Sequence, residues 1–161
     1  TFIKDFADFK INWKKDLKIG IHYWLIGLII MFIANNILIY FVGDLASNEL
    51  NNREIITKLP LYSICVMCFL GPICEEIVFR LELRNGFNKC LPYDLFSGLW
   101  FGCADVMGQN LLNSLFIIPY GAIGYFFAKS YYETNNIFTS ISLHVLHNSL
   151  SILLIVLSGN L

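Results

Sequence analysis

A chain of 161 residues that is 57% hydrophobic, 16% aromatic and only 14% charged is too apolar for a soluble domain, where about a quarter of residues carry charge. Its formal net charge of -1, with no basic run, removes the electrostatic case for nucleic-acid binding. The mean hydropathy of +0.62 and the long uncharged stretches point instead to an all-α, polytopic transmembrane bundle forming a single domain over residues 1–161. The first residue is Thr1 rather than Met, so the chain reads as a fragment or a processed product, and no cleavable signal peptide opens it.

Residues 1–18 are amphipathic, with Phe2, Phe6, Phe9 and Trp13 set among Lys4, Lys10, Lys14, Lys15 and Lys18, as expected of a segment on the membrane surface. The bundle occupies 19–157. Ile19–Val42 has no charged residue over 24 positions, about 36 Å of helix and enough for a first span. A polar loop, 43–58, separates it from a second span at about 59–83. A basic turn over 84–91 contains Asn85-Gly86. Residues 92–107 form a short third span, and 110–129 a fourth interrupted by Pro119 and Gly121. Residues 135–157 form the fifth. Lysines and arginines collect at the N-terminus and at Arg84, Lys89 and Lys129, against Arg53 and Lys58 on the other side; the N-terminus is therefore expected in the cytoplasm.

Cys65, Cys68, Cys74, Cys90 and Cys103 are odd in number, and four lie in apolar segments, which argues against a disulfide framework. The Cys65-x-x-Cys68 pair has no second pair to complete a metal site and reads as packing.

Glu75, Glu76, Arg80 and Asp105 fall inside these spans. Exposed to lipid together they would cost about 10 kcal/mol, so they are expected to face one another or a wet cavity. Glu76 and Arg80 are four apart, in register for an ion pair that could be purely structural. Glu75 is turned by about 100° and is free to point elsewhere. Gly71-Pro72 precedes the pair by one turn and should disturb the backbone ladder there. In the last span His144, His147, Asn148 and Ser151 make a polar stripe on an otherwise aliphatic helix.

The stretch Glu75-Glu76-Ile77-Val78-Phe79-Arg80, an EExxxR, followed by an HxxxN at His144-Val145-Leu146-His147-Asn148, resembles the CPBP group of intramembrane proteases, also called the Abi or CAAX-protease-like family. The likeness covers roughly 59–157. The family's middle motif, FxxxH, has its counterpart in "SGLWFGCADVM", with Phe101 in place and Asp105 where a histidine is expected. Family members commonly have about eight spans, more than this chain holds.

The resemblance implies an intramembrane endopeptidase. Its first glutamate, here Glu75, activates the attacking water together with the middle-motif histidine. Its last His and Asn, here His144 and Asn148, stabilise the oxyanion. Glu76 and Arg80 complete the first motif, and Phe101 and His147 are expected to line the substrate site. Asp105 could share a proton with Glu75 as a carboxylate dyad. Alternatively, its presence marks an impaired relative that serves as a membrane scaffold or a bacteriocin-immunity protein. A proton-coupled transporter would also use buried Glu, Asp and His, but it needs a polar path from face to face. No cofactor is expected. Glu75, Asp105 and His144 could supply three zinc ligands, but there is no HExxH and Asn148 is a poor zinc ligand. The expected partners are membrane lipid and a membrane-embedded or lipidated peptide, not nucleic acid, in what the resemblance suggests is a bacterial plasma membrane.

Overall fold

A computed structural model describes residues 2–158, all of whose regular structure is helical. Six helices follow in order: α1 (Phe2–Val42), α2 (Ser47–Lys58), α3 (residues 60–84), α4 (Cys90–Val106), α5 (Ile117–Thr134) and α6 (Ile137–Ser158). Two of them, α1 and α6, are by themselves long and apolar enough to cross a bilayer. Helix α1 is continuous for 41 residues, about 60 Å, with no break at Lys18–Ile19 where a surface segment was expected to end. Its first turns ride on the start of α6. Phe2, Phe6 and Phe9 surround Phe138 at 4.7, 5.2 and 6.1 Å, and the Asn136 side chain donates to Asp5 O and Asp8 Oδ2.

Helix α3 runs on without interruption through alternating α and π parts, and Ser63–Leu70 and Ile77–Glu82 are the stretches wound as π-helix. Pro72 is the reason for the first. It has no N–H, and its ring crowds the carbonyl one turn back, so an α-ladder fails at this point. Widening to i−5 bonds accommodates it: Gly71 N–H reaches Val66 O rather than Met67 O. Cys65 is exposed and Cys68 buried on this helix, and all five cysteines are free.

The fourth expected span is displaced. Residues 107–112 connect through two turns, with Gly108 at φ +80°, and a short 3₁₀ stretch over Asn113–Phe116 leads into α5. Pro119 is the third residue of α5, where backbone N–H groups have no intrahelical acceptor, so it starts this helix rather than interrupting it. Asn135, in the left-handed conformation at φ 50°, closes α5 and allows the tight turn into α6.

Helices α4 and α5 approach each other backbone to backbone. A Cβ at Gly98 would lie 2.7 Å from Gly121 O and Tyr125 N, and one at Gly102 would lie 2.7 Å from Gly121 N and Ile117 O. Small residues spaced in this way let helix backbones approach where apolar burial offers little advantage over lipid. Trp24, Phe79, Phe101, Ile123, Phe127 and Leu143 form the central apolar cluster, drawn from α1, α3, α4, α5 and α6.

The glycine contact sets a test. Gly102→Ala should lower stability by about 2 kcal/mol or more, because backbone atoms cannot rotate away from the added methyl. Gly86→Ala, in an exposed turn with its nearest neighbour atom at 3.5 Å, should change it by less than about 0.5 kcal/mol. Thermal unfolding of both variants in the same detergent measures the difference.

Candidate active site

The expected ion pair exists, and it is wholly enclosed. Arg80 Nε lies 3.2 Å from Glu76 Oε2, and both side chains are 0% exposed. Arg80 Nη1 donates to Ser97 Oγ at 3.1 Å, and Ser97 Oγ donates on to Phe79 O at 2.6 Å. The guanidinium carbon sits 5.0, 5.9 and 6.0 Å from the ring centres of Phe101, Phe79 and Phe127, within the range of cation–π attraction. Arginine is suited to this setting because its planar, weakly hydrated cation stacks on aromatic faces.

Glu76 uses its other oxygen on the last helix. His144 Nδ1 is 2.9 Å from Glu76 Oε1, and the imidazole is stacked on Phe127, with centroids 4.8 Å apart at 25°. Phe101 meets the same imidazole edge-on at 5.5 Å. A carboxylate already paired with a guanidinium accepts, so Nδ1–H donates, and Nε2 is left for the opposite side. There it faces Glu75, with Nε2 3.7 Å from Glu75 Oε2. The two neighbouring glutamates thus sit on either side of one imidazole. Glu76 is sealed in protein, whereas the Glu75 side chain is 42% exposed. The roughly 100° between successive helical residues separates the two environments.

Asn148, one turn beyond His144, donates through Nδ2 to Met67 O at 2.8 Å. Asp105 receives Asn48 Nδ2 at 3.4 Å on its side chain and lies within electrostatic reach of Glu75 and His144. Phe101 is 6% exposed and forms a wall against Arg80, Phe79, Phe127 and His144. His147 meets the same Phe127 ring edge-on at 6.0 Å. Among the described residues, no group of three or more His, Cys, Asp and Glu side chains is arranged to hold a metal ion.

Four participants escape motif reading. Ser97 and Phe101 sit four apart on α4, so a serine on the inward face offered a faint signal. Phe127 looks like any other core aromatic. Asn48 approaches Asp105 from 57 positions away, and the Met67 acceptor is backbone, to which sequence is blind.

Residues 57–150 match the family described as type II CAAX prenyl endopeptidase Rce1-like. The chain belongs to the Rce1-like family. This is the CPBP group that the EExxxR and HxxxN motifs resemble, and as a family it consists of CAAX-protease-type membrane endopeptidases. The chain is also 27% identical, over 164 aligned residues, to an uncharacterized protein of Mycoplasma capricolum. That alignment takes in 93% of this chain and 47% of the relative, so the chain spans about half the relative's length. No solved structure matches.

The two glutamates should separate cleanly in stability measurements. Glu76→Gln leaves Arg80 buried without a counter-charge and should cost about 3–5 kcal/mol. Glu75→Gln, half-exposed and 3.7 Å from its imidazole, should cost less than about 1 kcal/mol. Unfolding midpoints in matched detergent micelles report both.

Proposed function

We propose that this chain carries the catalytic centre of an intramembrane endopeptidase. It cleaves a membrane-embedded or lipidated peptide with water activated by Glu75. The observation that supports this most strongly is the imidazole held between two unlike carboxylates. Glu75, on the accessible side, draws a proton from water as its oxygen attacks the scissile carbonyl. It passes that proton to the amide nitrogen as the C–N bond breaks and the amine leaves. Glu76, locked by Arg80, holds Nδ1 of His144 and so keeps Nε2 turned toward the reacting atoms. With a proton on Nε2, His144 can donate to the developing oxyanion, and Asn148 supplies a second donor from the next turn. A positioned base contributes about 10²–10⁴-fold and an oxyanion donor about 10²–10³-fold.

In this reading Asp105 stands in the place of the middle-motif histidine. His144 Nε2, 3.7 Å from Glu75, keeps one imidazole beside the base. The surrounding bundle crosses the membrane five times with its N-terminus in the cytoplasm, which the lysine and arginine distribution supports. The host is a bacterial plasma membrane. A second reading, in which the chain is an impaired relative holding a partner or conferring bacteriocin immunity, is favoured by the engagement of Asp105 with Asn48. A transporter is disfavoured because the ionisable groups gather around His144 rather than forming a path across the bundle.

The purified protein in detergent, given a fluorogenic farnesylated CAAX-type peptide, should cleave it. Glu75→Gln should lower kcat by about 10³-fold or more while the protein remains folded. Equal turnover by the variant would refute the assignment, and absence of turnover in the unmodified chain would favour the scaffold reading. The rate should also survive exhaustive dialysis against a chelator. A loss reversed by zinc would instead assign Glu75, Asp105 and His144 as ligands.

A further inference from the structure

The Asn148 bond to α3 has a specific origin in the backbone. In a regular α-helix Met67 O would accept from Gly71 N–H, but that group is turned to Val66 O. In a π-helix Met67 O would accept from residue 72, and Pro72 has no N–H. Both local donors are therefore missing, and the carbonyl lies in a segment where water is scarce. Asn148 Nδ2, from α6, fills the vacancy at 2.8 Å.

The position of this bond ties it to the chemistry. A helical carbonyl points toward the following turn, so Met67 O faces the turn that begins near Gly71, and Asn148 Nδ2 reaches it from α6. On that turn Glu75 Oε1 stands 3.8 Å from where a Cβ on Gly71 would be. An amide nitrogen carries two hydrogens, so the one spent on Met67 O fixes the plane in which the other is offered.

Resting on the endopeptidase reading above, we propose that Pro72 is a positioning residue. By withholding its N–H it reserves Met67 O for Asn148, and the resulting clasp aims the second Asn148 N–H at the space beside Glu75. The clasp also fastens the widened part of α3 to α6 one turn from His144, so the base and the donors are held at one spacing. The Cβ-free Gly71 leaves the Glu75 carboxylate room beside this turn of α3.

The test uses a Met31→Leu, Met107→Leu background, in which Met67 is the only methionine of the 161 residues. With the carbonyl carbon of Met67 labelled with ¹³C, its infrared band reports its hydrogen bonding. Asn148→Leu should move the band to higher wavenumber as the donor is lost. Asn148→Leu combined with Pro72→Ala should move it less, because residue 72 can now donate. Pro72→Ala alone should lower kcat on the farnesylated peptide about tenfold with KM unchanged, since binding remains and aim is lost. A band unmoved by Asn148→Leu overturns the clasp, and unchanged kcat in Pro72→Ala overturns its positioning role. If the unmodified chain cleaves no peptide, the endopeptidase reading falls and the positioning role with it, while the band still decides whether the clasp exists.

Discussion

Everything around the candidate site depends on one buried carboxylate having two partners at once. Glu76 faces Arg80 with one oxygen and His144 with the other, and it has no exposed surface. An isolated carboxylate in such a place would cost far more than a single-domain fold can spare. Between a guanidinium and an imidazole N–H, it instead ties α3 to α6. Arg80 carries the connection onward through Ser97 to α4 and through its stacking on Phe127 to α5. Four helices are held in register by one charge and its two partners.

That arrangement also explains why adjacent glutamates can serve different ends. Glu76 is spent on architecture, and its enclosure orients the imidazole. Glu75, one residue earlier, is carried by helical rotation to a face where it is 42% exposed and still meets the far nitrogen of the same ring. On the proposed reading, these unlike surroundings let one carboxylate react while the other stays inert. The EE of the motif is thus two positions with opposite burial, joined through a histidine 68 residues away from the second of them.

Packing enforces the geometry. The glycine contact between α4 and α5 fixes where Phe101 and Phe127 stand, and these two rings box in both Arg80 and His144. Gly124 belongs to the same device: a Cβ there would lie 2.9 Å from the Phe101 ring. Small residues on the helices and large rings between them let backbone proximity and aromatic stacking supplement an apolar driving force that lipid weakens.

Much was legible from residue order alone. Low charge and long apolar runs imply an all-helical chain suited to a membrane, and the four-residue spacing of Glu76 and Arg80 implies their pairing. The polar stripe of α6 implies that His144 turns inward, because each of these depends on periodicity or on the cost of a charge in lipid. Pro119 misled because the same residue that breaks a helix interior is harmless in a first turn, and only the location of the helix start distinguishes the two. The unlike burial of Glu75 and Glu76, the two-sided grip on His144, and the meeting of Asn148 with the Met67 carbonyl were decided by tertiary structure. They arise from which atoms meet across helices, and a linear pattern states which residues share a face but not what that face will touch.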